Sequence, residues 1–448
     1  MKIFTKDHTL TREALALGYP IVVGMLSTTL MNIVDIAMVG RLGAAAIAAV
    51  GLGGIFFFTV SSFFSSLNVG VQTVAARRFG EKKYDETGSV LWNALFIALI
   101  AGLPVTLAGI NLGTDFIELL NNDPQVVVFA QGYIWYRFLG IGFVILSMAF
   151  HGFFNGIAKT KVHLQVTVTA NILNVILNYG LIFGHLGFPE MGVRGAGLAS
   201  SIGMVYSVLM YIIYGLRPSI RTRFEFLKPA PIKPEALRKI IRLSFPVALQ
   251  NAIVHGGFTM FFVIVGRVST VALAASEIVF DILSFSFMPG FGFGMAAGTM
   301  VGKYLGALKP DHAERSGWVG LQLSVIFMGS MGIIFILFPR LILHIFTTDV
   351  DVIREGVLAL RILGTIQFVD ACGLSLSGAL RGAGDTTFVS ITEILINVGL
   401  FLPLVYFLAI ILNWGLLGAW LGFGFYIILF ASAMILRFRH GKWKAIEV

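Results

Sequence analysis

The chain has 448 residues, of which 57% are hydrophobic and only 12% charged, with a formal net charge of +9 and a mean hydropathy of +0.88. A soluble domain carries about twice that charge, so the composition excludes a soluble enzyme and points to a polytopic membrane protein. The single cysteine, Cys372, excludes an intrachain disulfide. In such a chain the surplus of Lys and Arg reads as basic loop charge, with no nucleic-acid partner implied.

Apolar segments follow one another along the whole chain. Each has about 20 or more residues, enough to cross a hydrocarbon core of about 30 Å. They run over residues 13–40, 45–76, 86–111, 124–153, 163–185, 192–216, 240–266, 270–302, 315–341, 352–380, 387–412 and 414–437. The expected fold class is therefore an all-α polytopic membrane protein with twelve transmembrane helices. The stretch MKIFTKDHTLTREALALGYP has no short apolar run ahead of a small-residue cleavage site, so no removable signal peptide is expected.

Basic residues set the expected topology. With the N-terminus placed in the cytoplasm, the inside segments hold 25 of the 32 Lys and Arg residues. Lys2, Lys6 and Arg12 begin that set, and Arg437, Arg439, Lys442 and Lys444 end it. This asymmetry predicts both termini in the cytoplasm. The longest polar stretch, Leu216–Lys239, is basic and proline-containing, and divides the chain into an N-lobe (1–216), a cytoplasmic linker (217–239) and a C-lobe (240–448).

The two halves repeat. A shift of 226 residues aligns Pro20 with Pro246, Val39-Gly40-Arg41 with Val265-Gly266-Arg267, Thr73 with Thr299, Gly156 with Gly382, Thr160 with Thr386 and Asn171 with Asn397. Each half has an even number of helices, so the repeats are parallel. Substrate sites in such transporters lie near the bilayer midplane at the repeats.

Against that scaffold a few residues stand out. Asp35, in LMNIVDIAMVGRLG, lies near the outer end of the first span, where an ionised carboxylate costs at least a few kcal/mol and marks a functional acid. Its repeat partner is Phe261, so the scaffold does not demand an acid. Asn171, Asn174 and Asn178 form one polar stripe on the fifth span, able to bond Asp35 or simply to join helices. In the second half, Asp370 corresponds to Val144, and Glu277 and Asp281 correspond to Gly51 and Ile55. The last two lie four apart on one helical face and form a second cation site, a counter-charge for a cationic substrate, or partners for a group such as Arg361. His255 is a titratable candidate on an apolar face. Glu393 is expected to be interfacial. Pro20, about four turns before Asp35, is a candidate hinge, because proline removes a helix hydrogen bond. No phosphate-binding Gly–Lys motif and no Cys/His cluster is visible, so neither an ATP-driven pump nor a metal cofactor is expected.

Over essentially its whole length the sequence resembles the multidrug and toxic compound extrusion (MATE) family. The resemblance rests on NIVDIAMVGRLG (32–43), VQTVAARRFGEKK (71–83), FFNGIAKTK (153–161), GFPEMGVRGAGLAS (187–200) and QFVDACGLSLSGALRGAGDTT (367–387). It implies two six-helix lobes around a central cleft in a bacterial or archaeal plasma membrane. It also implies cation-coupled efflux of drugs or toxic organic cations, and the chain is expected to act as a monomer in the bilayer. The first-helix acid resembles the DinF-like branch, in which a proton-coupling site in the N-lobe combines that Asp with polar partners on the fifth and sixth helices. Asp35, Asn174 and Asn178 match it, and Ala196 stands near the sixth-helix position. Asp370 instead resembles an acid of the NorM-type branch, whose seventh-helix glutamate is absent, with Val254 and His255 near that point.

The sequence is thus read as a proton-coupled antiporter rather than an enzyme, with no cofactor beyond the coupling ion. The alternatives are Na⁺ coupling through the C-lobe acids and a lipid-precursor flippase. The mostly acidic intramembrane charges disfavour the flippase.

Overall fold

The computed structural model describes residues 7–448, so Lys2, Lys6 and the start of the N-terminal stretch lie outside the described residues. Among the described residues every regular element is helical. The first half comprises α1 (His8–Gly40), α2 (Ala44–Ser65), α3 (Leu67–Gly80), α4 (Tyr84–Leu120), α5 (Pro124–Leu139), α6 (Ile141–Gly156), α7 (Thr160–Phe183), α8 (Val193–Gly215) and the short α9 (Pro218–Phe224). The second comprises α10 (Pro234–Val268), α11 (Thr270–Gly306), α12 (Pro310–Leu337), α13 (Pro339–His344), α14 (Val350–Ala383), α15 (Thr386–Ile396), α16 (Leu402–Tyr406) and α17 (Gly415–His440). Eleven described helical stretches are long and apolar enough to cross a membrane, and the bent pair α5–α6 supplies a twelfth.

The repeat is written into the helix starts. Ala44 and Thr270, Tyr84 and Pro310, Pro124 and Val350, and Thr160 and Thr386 each open a helix at the same 226-residue spacing. The caps repeat as well. Asp123 accepts from the backbone N–H groups of Gln125 and Val126, and Asp349 from those of Asp351 and Val352, satisfying donors that a helix start leaves free. The turns before α7 and α15 both pass through a left-handed residue, Ala158 (φ 60°) and Gly384 (φ 97°). Only glycine adopts that conformation without side-chain strain, so the second half has the easier residue there.

The halves differ where the helices bend. The span expected over 124–153 is two helices meeting at 44° at Gly140, whereas its counterpart α14 is continuous. The span expected over 45–76 is interrupted at Ser66, while α11 runs unbroken. The span over 387–412 contains two π-helical turns, Asn397–Phe401 and Phe407–Ile411. The expected linker is partly helical: α9 lies within it, and α10 begins at Pro234.

The chain forms two compact units, residues 23–248 and residues 249–448 together with the stretch up to Val22. In the first, α3 crosses α6 so closely that a Cβ on Gly152 or Gly156 would meet the carbonyl of Asn68 or Gln72. In the second, α11 crosses α14 at the repeat-related place, with Gly378 against Gly294 and Gly382 against Gly298. Without a hydrophobic drive between helices in lipid, such small-residue crossings supply close packing. The core of the second unit is aromatic, centred on Phe261, Phe401, Trp420 and Phe423.

Candidate functional site

In the first unit, α1 and α7 run side by side and bring the sequence-predicted residues together. Asn178 Nδ2 donates to Asp35 Oδ1 at 2.5 Å and lies 3.0 Å from Asn174 Oδ1. Further along the same seam, Asn171 Nδ2 donates to Ser27 Oγ at 2.9 Å. Asp35 is half-buried, while Asn174 and Asn178 are buried at 6% and 1% exposure. The periodicity of α7 explains the arrangement, since residues three and four apart share a face.

The pairing suits proton exchange. An amide offers two donors and an acceptor, whereas an ionised carboxylate only accepts. Asn178 presents its N–H to the carboxylate, and its Oδ1 is buried without a partner. A rotated amide would present that oxygen to a protonated carboxyl, so the same side chain serves both charge states.

A cation stands behind the acid. Arg137 of α5 acts on Asp35 electrostatically, and its guanidinium lies 3.9 Å from the ring centroid of Phe57. Arg137 was not among the sequence candidates. Its signal was available, because the repeat partner is Leu363.

In the second unit the acids do not all converge. Glu277 and Asp281 are exposed on α11, and neither forms an ion pair with Arg361 or another described residue. His255 is exposed on α10. Asp370 has Glu393 as its electrostatic neighbour. Glu393, expected to be interfacial, turns its carboxylate into the protein. Its side chain is 15% exposed and sits inside a network. Gln250 donates to one of its oxygens, Tyr426 donates to the other at 3.2 Å, and Arg381 lies 3.9 Å away. Arg381 at 3.2 Å and Ser390 at 2.7 Å also donate to Gln250 Oε1. A buried carboxylate needs such donors and a cation, and here three helices provide them. Nearby Asn397, fully buried in the first π-turn, has its amide beside the Tyr426 hydroxyl.

Two surface depressions occupy repeat-related places. One, of about 470 Å³, is lined by residues including Leu42, Tyr136, Glu190 and Arg194. The other, of about 290 Å³, is lined by residues including Val268, Glu355, Asn413 and Trp414. Neither is lined by Asp35 or Asp370.

Comparison with known proteins places this architecture. The MatE family profile matches residues 20–180 and again 246–407, one match in each half. The chain is 32% identical over 447 residues to the probable multidrug resistance protein NorM of Thermotoga maritima, covering 97% of this chain and 93% of that one. It is 28% identical over 415 residues to the multidrug resistance protein NorM of Burkholderia vietnamiensis, covering 91% and 88%. A crystal structure of MATE in the straight conformation shares the fold, with a TM-score of 0.88 at 22% identity over 97% of this chain and 98% of that one. The duplicated twelve-span fold and the paired family match lead to one conclusion: this integral membrane protein belongs to the MATE family of transporters.

Proposed function

We propose that the chain is a proton-coupled multidrug antiporter of the bacterial or archaeal plasma membrane, exporting amphipathic or cationic compounds, with Asp35 carrying the proton. The observation that carries this reading is the Asp35–Asn178 bond, set where the other half has Phe261. The relatives are named as multidrug resistance proteins, which supports drugs as the cargo. The basic-residue asymmetry puts both termini in the cytoplasm, with lobes at 1–216 and 240–448 around the linker.

Asp35 takes a proton from the outer side, its bonding to α7 changes, and α1 bends at Pro20. Proton and drug then bias an alternating-access equilibrium by their different affinities for its two states. The exchanger operates as a monomer.

Drug/H⁺ exchange by protein reconstituted in liposomes tests this, with ethidium as the probe. Wild-type exchange is expected to need acid on the outer side and no Na⁺. Asp35→Asn is expected to abolish it while Asp370→Asn keeps it. Normal exchange by Asp35→Asn sinks the proposal. The proximity of Asp370 to Glu393 favours a second reading, Na⁺ coupling in the C-lobe. In that case exchange needs Na⁺ and Asp370→Asn abolishes it.

A further inference from the structure

Two histidines in the first unit have no part in the scheme above. His151 of α6 and His163 of α7 stack face to face, with ring centroids 3.6 Å apart and planes 19° from parallel. Neither is required by the repeat, since the corresponding residues are Ser377 and Val389. His163 Nδ1 lies 2.7 Å from the Tyr211 hydroxyl, and His151 Nδ1 lies 3.3 Å from Asn68 Nδ2. His151 Nε2 is buried with no partner. His163 Nε2 faces the bare backbone of Gly24 on α1, where an added Cβ would lie 3.7 Å from it.

The pair lies at one end of the polar stripe that leads to Asp35. On α7 one polar stripe comprises His163, Thr167, Asn171, Asn174 and Asn178, spaced by four, four, three and four, while Gln165 and Thr169 lie outside it. That spacing keeps them on one face. From His163 to Asn178 the helix rises about 22 Å, most of a hydrocarbon core about 30 Å thick. Along the seam α1 supplies Gly24, Ser27 and Asp35, which meet His163, Asn171 and Asn178 in that order. In the topology proposed above, His163 is at the cytoplasmic end.

We propose that the stacked pair His151–His163 is a second proton-binding station of the N-lobe, taking the proton that leaves Asp35 and releasing it to cytoplasmic water. The inference rests on the reading of Asp35 as the proton carrier. Two imidazolium rings in contact repel, so the pair holds one proton at a time. The Tyr211 hydroxyl donates to Nδ1 of a neutral His163 and accepts from Nδ1–H of the cation, so it serves both states. Its ring packs near-parallel to Phe150 and Phe154 of α6, which fix its position. The proton leaves the Asp35 carboxyl when the α1–α7 seam admits water along the amide stripe, binds an imidazole nitrogen, and departs as hydronium. Among the described residues the titratable group in contact with the pair is Tyr211 from α8; α1 contributes Gly24 and α3 contributes Asn68, and the exposed Lys159 and Lys161 precede His163 in the chain by four and two residues.

The test is ethidium/H⁺ exchange in liposomes at fixed outer pH and varied inner pH, for wild type, His151→Gln, His163→Gln, His163→Ala and Tyr211→Phe, with ethidium binding as the check on folding. The three single changes to Gln or Phe are expected to slow exchange by about a hundredfold, the small end of what a positioned proton acceptor contributes, and to flatten its dependence on inner pH. Ethidium binding is expected to be kept. Imidazole added inside the vesicles is expected to restore His163→Ala, whereas pyrrole, of the same shape but unable to accept a proton, is not. Wild-type rates and inner-pH dependence in Tyr211→Phe, or restoration by pyrrole as well as imidazole, overturn the proposal. Failure here with Asp35→Asn inactive leaves the Asp35 reading standing, whereas an active Asp35→Asn removes that reading first.

Discussion

Asn178 and Asp35, separated by 143 positions in the chain, meet through a single 2.5 Å hydrogen bond between α7 and α1. Asn178→Leu removes the donor and leaves the carboxylate facing an apolar side chain. A hydrogen bond to a charged group contributes about 1.5–3 kcal/mol, and the partial exposure of Asp35 places the loss toward the low end. Thermal unfolding in detergent checks the stability, and drug/H⁺ exchange is expected to fall with it.

That contact was legible because the amphipathic spacing of α7 was strict and because the repeat marked Asp35 as an addition to the scaffold. The number of spans followed from hydropathy alone. The network around Glu393 was not legible, since its members come from α10, α14, α15 and α17 and no local period joins Gln250 to Tyr426. The bend at Gly140 escaped notice because a lone glycine in an apolar run is common in membrane helices, and α14 shows that the same length of chain can stay straight. His151 and His163 sit on either side of a tight turn, and only the fold stacks their rings.

The glycine crossing of α11 and α14 is expected to be intolerant of bulk. Gly382→Ala would place a methyl group on the Gly298 carbonyl, and overpacking of this kind costs about 1–3 kcal/mol. Gly51→Ala is the control, because nothing lies within 4 Å of the added carbon. Melting temperatures of the two variants should separate, with Gly51→Ala near wild type.

The two helix caps offer a paired test. Asp123→Ala and Asp349→Ala each remove a side chain that accepts from two backbone N–H groups. Each is expected to cost about 0.5–2 kcal/mol, with similar effects because the caps are repeat-related. Hydrogen exchange at Gln125–Val126 and Asp351–Val352 would localise the loss to the affected helix start.

Arg381→Met should be the most damaging of these changes. It removes a donor to Gln250 and leaves Glu393 without its cation in a site where both side chains are mostly buried. Breaking a buried pair on one side costs about 3–5 kcal/mol. The double variant Arg381→Met/Glu393→Gln is expected to regain part of the melting temperature, because the uncompensated charge is gone.

The shared register of helix starts, from Ala44 and Thr270 through Thr160 and Thr386, also records a limit on how this chain can change. Inserting one residue into a helix turns everything beyond it by about 100° and lifts it by about 1.5 Å. In water a loop absorbs that slip, but a bilayer of set thickness holds each span to a fixed height and facing. The membrane therefore acts as a ruler laid against both halves. Residue identities differ between them, as Asp35 and Phe261 do, while the count of residues from Ala44 to Thr160 equals the count from Thr270 to Thr386.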